Sequence, residues 1–600
     1  MAKQVKREEI EEKYKWNLDD IYSSVEEFNK DKEKFVKLTD EISKFKGKIT
    51  SSSKMLYDYL KLDDDMLTLI SNLYAYTSFK KDEDLNNKEN LRNFNEICSI
   101  DSIYQNKTSF ALPELLKTDY EVIKKYLNEN DDLKEYEFDL KQIYRYQKYT
   151  LEEKEEILLN YINELQSKYE NNFEIGLYSI ADFGVITDED GNEVKLTNGN
   201  YSKYIKSKDR RVRKEAYLNR SKEFKKFASL FATDYEGSIK CDSIVAKTKG
   251  YKSSLDMYLY PDGVTSEIYD NLLNTAEKNI NILHKYHKMI KNILKLDKLE
   301  VYDINAPLID KLDKKYTPED CKNLLIKAFN IYGKEYVSII EKAFDERWID
   351  FYPNEGKRSG YYENISFNAH PYVFGNYNDD FESVSAIAHE LGHAVHSYFS
   401  LKNNKEHLSV YKIFVAEIAS LTNELLLSNY IINNSNDKNE KLMAISNILE
   451  IFSNNFFGTL SEGSIFEKIV HEKSDNNETL TEIDFNNIFE EISKQYYGKD
   501  VNYSEYSKYS WAKVPHFYSS FYYYKYSIGI SCACFVAKKI LSNDKEYLEK
   551  YLNFLKLGGS MMPLDELKTI DIDLSKEDII NEAIKYFDNL IDEFSKIYNS

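Results

Sequence analysis

Proline is almost absent from the first 260 residues of this chain, where only Pro113 occurs, and all 600 residues include just 8 prolines and 19 glycines. Proline ends or kinks a helix and glycine weakens one, so their scarcity leaves long stretches free to form unbroken helices. Over residues 25–45, apolar side chains recur at spacings of three, four and seven, which is typical of an amphipathic helix that Gly47 ends. The chain is therefore predicted to be mainly α-helical.

The same periodicity predicts further helices and two interruptions. Helices are expected after the serines at 51–53 and again over about residues 151–176. Between residues 183 and 197, two short β-forming runs surround the turn sequence Asp-Glu-Asp-Gly-Asn, which predicts a β-hairpin, and a second β-rich stretch covers residues 348–377. We expect an N-terminal helical domain over residues 1–200 that ends in the hairpin, and a larger domain over residues 201–600.

The composition excludes several classes of protein. Hydrophobic residues make up 42% of the chain and aromatic residues 14%, which is enough for a large core and excludes wholesale disorder. The formal net charge of -21 repels phosphate backbones, so no nucleic-acid partner is expected. The longest nearly apolar run, residues 528–537, is far shorter than the roughly 20 residues that span a membrane, so no membrane partner is expected either.

The N-terminal residues and the cysteines bear on the compartment. Residues 1–10 are rich in charge and lack the apolar segment of a signal peptide. The 5 cysteines are scattered without a C-x-x-C pair, so neither a disulfide framework nor a cysteine zinc site is indicated. We expect a cytoplasmic protein, and its sequence leaves the oligomeric state open.

The strongest functional signal is an H-E-x-x-H motif formed by His389, Glu390 and His393, which chance would produce about 0.01 times in a chain of this composition. An apolar stripe over residues 381–398 places the motif inside a helix, with Asp379 as the expected N-terminal cap. On such a helix the two histidines project from one face a turn apart, so both imidazoles can bind one zinc ion. Glu390 lies beside that face, where it can reach a water molecule rather than the metal.

A catalytic zinc ion needs a third protein ligand and an open position. His396 is nearby in sequence, but it lies about 10.5 Å along the helix from His389, which is too far to share one ion. Glu417 is the better candidate, because its separation from His393 leaves room for a loop and an antiparallel return helix. Glu424, two turns further along the same face, is expected to orient a ligand.

Together these features resemble the oligoendopeptidase F branch of the thimet oligopeptidase family of zinc metallopeptidases. The resemblance spans nearly the whole chain, in the family's order. It is carried by residues 16–21, 183–191, 357–360, 370–372, 389–393, 414–420 and 516–526.

This resemblance implies a mainly α, two-lobed helical peptidase with a deep central channel and a small β-sheet beside the zinc site. It also implies an enzyme that cleaves internal bonds of short peptides, with one Zn²⁺ per chain. Because all 9 histidines lie between residues 284 and 516, we expect residues 201–600 to be the catalytic domain. The family places a histidine and a tyrosine within residues 516–526 to stabilise the oxyanion. We assign these roles to His516 and Tyr524, while the register within this tyrosine-rich segment stays open.

A mechanism follows from these assignments. Zinc held by His389, His393 and Glu417 lowers the pKa of a bound water toward about 7, and Glu390 takes the proton as the water attacks the peptide carbonyl. The ligand types favour zinc, although cobalt or manganese can substitute in such a site. The sequence contains no Walker loop or G-x-G-x-x-G fingerprint, so no nucleotide cofactor is expected.

Two other interpretations stay open at this point. One is a non-catalytic helical scaffold or peptide-binding chaperone that keeps a decayed motif, although decay usually removes the glutamate or a ligand. The other is an exopeptidase of a different H-E-x-x-H family, although such families usually have a shorter gap to the third ligand, and the G-x-M-E-N amine-binding motif does not occur here. Zinc content with peptide turnover tests the first alternative, and a terminally blocked peptide tests the second.

Overall fold

The computed structural model describes residues 5–310 and 314–600, and helices dominate it. In chain order the α-helices are α1 (Val25–Ile42), α2 (Ser53–Glu83), α3 (Lys88–Thr108), α4 (Ala111–Lys117), α5 (Tyr120–Glu129), α6 (Glu137–Arg145), α7 (Glu153–Glu174), α8 (Asn198–Ile205), α9 (Arg210–Lys249), α10 (Ser254–Leu259), α11 (Ser266–Lys278), α12 (Ile280–Ile293), α13 (Pro318–Phe329), α14 (Lys334–Asp345), α15 (Phe381–Asn403), α16 (Ile413–Asn434), α17 (Lys438–Phe452), α18 (Ile465–Asp475), α19 (Glu482–Tyr497), α20 (Tyr524–Leu541), α21 (Lys545–Phe554), α22 (Pro563–Lys568) and α23 (Asp578–Asn599). The short strands are β1 (Val185–Thr187), β2 (Glu193–Lys195), β3 (Leu299–Glu300), β4 (Ile349–Asp350), β5 (Tyr362–Ile365), β6 (Pro371–Phe374) and β7 (Val501–Asn502).

The structure confirms the mainly α class predicted from the sequence. Ser24 caps α1 by accepting a hydrogen bond from the main-chain N–H of Glu27, and α1 ends before Gly47, whose φ of 77° lies in the left-handed region. Ser52 caps α2 in the same way, directly at the predicted cluster of serines. Helix α7 occupies the next stretch that the periodicity predicts.

Three small sheets occur within the described residues. β1 and β2 pair antiparallel with Ile186 opposite Val194, which confirms the predicted hairpin, and β3 pairs in parallel with β7. The third sheet has the order β4-β6-β5, in which β4 is parallel to β6 and β5 is antiparallel to it. Both β5 and β6 pack against α15, so this sheet supports the helix that carries the H-E-x-x-H motif.

The chain forms two compact units, each assembled from three segments. Unit 1 contains Met1–Glu153, Lys314–Lys412 and Asn543–Glu566, and unit 2 contains Lys154–Asp313, Ile413–Ser542 and Leu567–Ser600. The domains predicted from the sequence divide the chain once, at residue 200. Compactness and independent folding are different properties, so that boundary stays a prediction.

The core of unit 1 joins the N-terminal helices to the sheet behind α15. The ring centroid of Trp16 lies 5.5 Å from that of Phe374 on β6, and its indole N–H donates to Glu83 on α2. Tyr372, also on β6, donates its hydroxyl hydrogen to the main-chain carbonyl of Asn17 at 2.9 Å. The sequence motifs at residues 16–21 and 370–372 are thus direct neighbours, although about 350 positions separate them in the chain.

Unit 2 is built around aromatic side chains and a buried helix pair. The ring centroid of Tyr235 on α9 lies 5.5 Å from that of Phe485 and 5.7 Å from that of Phe517. Helix α16 packs most extensively against α20, and buried residues occur along nearly its whole length. The helix that carries Glu417 is therefore fixed inside unit 2 by packing rather than by surface contacts.

A buried ion pair in unit 1 gives a stability prediction. Asp350 on β4 lies 2.5 Å from Nζ of Lys357, and both side chains are almost completely buried. Asp350→Asn should lower the free energy of unfolding by about 3–5 kcal/mol, because it leaves the buried ammonium without its carboxylate. Urea unfolding measures this change. Lys54→Ala, which removes the exposed pair with Asp58, is the control and should change stability little; an equally small effect of Asp350→Asn would contradict the prediction.

Candidate metal centre

Helix α15 begins one residue later than its sequence predicts. The cap is Asp380, whose carboxylate accepts a hydrogen bond from the main-chain N–H of Ser383 at 2.9 Å. The prediction of Asp379 as the cap is wrong, because this residue adopts a left-handed φ of 55° and its carboxylate accepts a hydrogen bond from the hydroxyl of Tyr352 at 3.0 Å. Two adjacent aspartates offer the same capping chemistry, and the turn that precedes the helix selects between them.

The two histidines of the motif lie one helical turn apart on α15. The ring centroids of His389 and His393 are 5.0 Å apart, and both side chains are half-buried. Their neighbours Ala388 and Leu391 are completely buried in the core. The helix is therefore fixed by packing on its inner side while the imidazoles remain accessible for a ligand.

Glu417 joins these histidines from the following helix, α16. One ligand atom from each of His389, His393 and Glu417 lies within 4.8 Å of the other two, and the three residues form a group that can hold a metal ion. Oγ of Ser420, one turn further along α16, lies within hydrogen-bond distance of Oε2 of Glu417, at 3.0 Å. The structure thus brings together all three side chains that the sequence proposed as metal ligands.

The donor set fits a catalytic zinc ion. Zinc accepts imidazole nitrogen and carboxylate oxygen at about 2.0–2.2 Å, and catalytic sites use three protein ligands and leave one position open. Two imidazoles and one carboxylate are such a set. Among the described residues, no other group of histidine, cysteine, aspartate and glutamate side chains meets the same distance condition.

Glu390 occupies a more enclosed position than the ligands. Its side chain is buried, with 7% of its surface exposed. Burial raises the pKa of Glu363, on the supporting strand β5, to about 8, and the negative charge of Glu390 adds to that shift. Glu363 is therefore mostly protonated at neutral pH, which spares Glu390 a second negative charge beside it.

His396 is fully buried and belongs to the core rather than to the metal centre. Its ring stacks on Tyr411 with a centroid separation of 3.7 Å, and burial lowers its pKa to about 3. The argument from helical distance, which excluded His396 as a ligand, agrees with this placement. Glu424 is also buried, on α16, and its proposed role in orienting a ligand stays a prediction.

The segment that contains the predicted oxyanion donors forms a short 3₁₀ turn, Pro515–Tyr518, followed by α20. His516 is half-buried, and its ring lies 5.1 Å from that of Tyr523. Tyr524 is completely buried, with its ring packed edge-on against Tyr269 at 5.1 Å. Tyr526 is half-buried, and its hydroxyl lies 3.5 Å from Nε2 of His516.

The sequence left Tyr526 as one of several candidate tyrosines in an open register, and it missed Ser420 as a partner of Glu417. Tyr524 and Tyr526 both lie at the beginning of α20. The residue at which this helix starts determines which of the two rings packs into the core. Burial raises the pKa of Tyr526, the neighbouring Tyr522 adds to the shift, and the carboxylate of Glu417 adds a smaller part. Ser420 could have been found from its i+3 spacing to Glu417, which puts the two side chains on one helix face.

Two protein-family models match this chain. Residues 203–586 match the model of Peptidase family M3, and residues 114–183 match the model described as Oligopeptidase F. Oligopeptidase PepF of Bacillus subtilis is 32% identical over 98% of this chain and 88% of its own length. An oligoendopeptidase F homolog of Borreliella burgdorferi is 31% identical over 99% of this chain and 100% of its own length.

Solved structures show the same fold. A putative peptidase from Chlamydophila abortus superposes with a TM-score of 0.88 at 30% identity and covers 99% of this chain and 100% of its own. Oligoendopeptidase-F from Enterococcus faecium superposes with a TM-score of 0.75 at 25% identity, covering 96% of this chain and 99% of its own. Both structures therefore share the fold of nearly the entire chain.

A mainly helical protein with two histidines on one helix and a glutamate on the next has the architecture of a helical metallopeptidase. The family match covers more than half of the chain, and this chain belongs to peptidase family M3 and is a metallo-endopeptidase. None of the helices in the described part of the chain is long and apolar enough to cross a membrane.

The role of Glu417 can be tested by metal binding. Glu417→Ala removes the carboxylate from the group of three and should weaken zinc binding by more than about 100-fold. This loss exceeds the roughly 10- to 100-fold loss that is typical when a residue that only orients a ligand is removed. A competition titration of the metal-free protein with a chromogenic chelator measures this change. Glu406→Ala, which removes an exposed carboxylate from the segment before α16, is the matched control. Unchanged zinc affinity in Glu417→Ala would show that Glu417 is not the third ligand.

Proposed function

We propose that this chain is a zinc-dependent oligoendopeptidase that hydrolyses internal peptide bonds of short peptides, with Glu390 as the general base. One observation carries the proposal: ligand atoms of His389, His393 and Glu417 lie within 4.8 Å of one another, and the residue that follows His389 is a buried glutamate. Membership of peptidase family M3 and the names of the similar proteins, oligopeptidase and oligoendopeptidase, support the reaction class and the size of the substrate.

In this proposal, His389, His393 and Glu417 hold one Zn²⁺. When bound, zinc supplies a Lewis acid that lowers the pKa of water and polarises the peptide carbonyl. The two histidines act as neutral ligands, and the carboxylate of Glu417 offsets part of the positive charge of the ion.

Glu390 moves the proton in the reaction. Its carboxylate accepts a proton from the attacking water and then passes it to the nitrogen of the leaving amine. Adjacency to His389 keeps Glu390 next to the ligands, and its burial raises the strength of its interaction with a positive group by reducing the competition from water.

The oxyanion that develops on the substrate requires a hydrogen-bond donor from the protein. The sequence assigns this role to His516 and Tyr524. The burial of Tyr524 favours Tyr526 as the tyrosine of the pair, because the hydroxyl of Tyr526 lies 3.5 Å from Nε2 of His516. His516 with one of these two tyrosines is therefore the proposed donor pair.

An internally quenched peptide with both termini blocked tests the reaction class. The zinc-loaded protein should cleave it at an internal bond, and dialysis against a chelator should abolish the cleavage until zinc is restored. An exopeptidase would leave the blocked peptide uncut, and a scaffold with a decayed motif would bind zinc without any turnover. Either result would overturn the proposal. The cytoplasmic location expected from the sequence stays a prediction.

The general-base role predicts a separation between metal binding and turnover. Glu390→Gln should reduce kcat by about 10²- to 10⁴-fold, because the amide cannot accept the proton of the attacking water. Zinc content, measured by atomic emission, should stay at one ion per chain. Glu382→Gln makes the same change at an exposed position of α15 and should keep normal activity. Near-normal turnover in Glu390→Gln would refute the role.

The two tyrosines can be distinguished by removing each hydroxyl. Tyr526→Phe should lower kcat by about 10²- to 10³-fold with little change in zinc affinity, as expected for the loss of one oxyanion donor. Tyr524→Phe should leave kcat close to normal, because its hydroxyl lies in the core. Steady-state kinetics on the quenched peptide measures both variants. A large loss of kcat in Tyr524→Phe with normal kcat in Tyr526→Phe would show that Tyr524 is the donor.

A further inference from the structure

Glycine 529 lies inside α20, where its lack of a side chain has a specific consequence for α16. A Cβ atom built on Gly529 would lie 2.7 Å from Cβ of Glu417 and 3.3 Å from Cδ1 of Leu421. Carbon atoms in contact are normally about 3.5–4.0 Å apart. The two helices are therefore closer at this point than any other residue at position 529 would allow.

This close approach lies directly beneath the proposed metal ligand. The atom that a methyl group at position 529 would meet is Cβ of Glu417, which is attached to the backbone and cannot turn aside as the end of a flexible side chain can. Glycine inside a helix is unfavourable relative to alanine. Its occurrence in the buried part of α20 is explained if close packing against Glu417 is required.

A second contact holds the other end of the same side chain. Oγ of Ser420, which is completely buried, lies 3.0 Å from Oε2 of Glu417 and 3.1 Å from its main-chain carbonyl oxygen. The hydroxyl donates its one hydrogen to either acceptor. When it donates to Oε2, it fixes the plane of the carboxylate.

We propose that Gly529 and Ser420 are positioning residues for Glu417: Gly529 sets where the side chain starts, and Ser420 sets how its carboxylate is turned. The proposal rests on the proposed function, because it assumes that Glu417 binds the metal. Relief of the contact at 2.7 Å would displace Glu417 by about 1 Å. Metal sites tolerate ligand displacements of only about 0.2 Å, so the displacement should weaken zinc binding.

The test compares zinc dissociation constants of metal-free variants by chelator competition. Gly529→Ala and Ser420→Ala should each bind zinc about 10- to 100-fold more weakly than the wild type, as is typical for residues that orient a ligand. Gly176→Ala is the control for a methyl group added elsewhere in unit 2, since its Cβ would meet the ring of Phe231 at 2.7 Å. Ser428→Ala is the control for the lost hydroxyl, since Ser428 is buried on α16 without a hydrogen-bond partner among the described residues.

A double-mutant cycle separates positioning from general damage to the fold. In the Glu417→Ala background, Gly529→Ala and Ser420→Ala should have no further effect on zinc affinity, because their target is gone. Thermal unfolding of the metal-free proteins reports the fold independently. Equal zinc affinity in Gly529→Ala, Ser420→Ala and the wild type would overturn the proposal, as would effects that persist unchanged in the Glu417→Ala background.

Two further outcomes are informative. If Gly529→Ala does not fold, the second substitution Glu417→Gly, which removes the opposing Cβ, should restore folding; failure to restore it would contradict the contact. If the wild type itself binds no zinc, or if Glu417→Ala binds it normally, the proposed function fails first. The wild type and Glu417→Ala thus distinguish a failure of the proposed function from a failure of this inference.

Discussion

The candidate site depends on the requirement that two imidazoles from one helix and a carboxylate from the next reach a single point in space. Ligand distances of about 2.0–2.2 Å leave little tolerance, so both helices must be held firmly. The sheet β4-β6-β5 supports α15, and α20 supports α16.

The family establishes the class of enzyme, whereas the roles of individual residues in the reaction are proposals. Membership of peptidase family M3 establishes a metallo-endopeptidase, and the group His389, His393 and Glu417 provides a donor set suited to zinc. The proton transfers and the oxyanion contacts are proposals that depend on single side chains. Glu390 is the clearest of these, because it is both buried and adjacent in sequence to a ligand.

The sequence predicted those features whose cause is local. The spacing within the H-E-x-x-H motif determines the geometry of its histidines on any helix, and a serine before an apolar stripe predicts the start of a helix, as at α1 and α2. It did not predict features set by distant packing. Asp380 rather than Asp379 caps α15, and Tyr524 is completely buried while Tyr526 is half-buried. Gly529 opposes Glu417 from more than one hundred residues away.

X-ray diffraction from crystals of the zinc-loaded protein, recorded on both sides of the zinc absorption edge, tests the central claim most directly. The account predicts one strong anomalous peak per chain, about 2.0–2.2 Å from a ring nitrogen of His389, a ring nitrogen of His393 and a carboxylate oxygen of Glu417. A peak bound to other residues, or none near these three side chains, would contradict it.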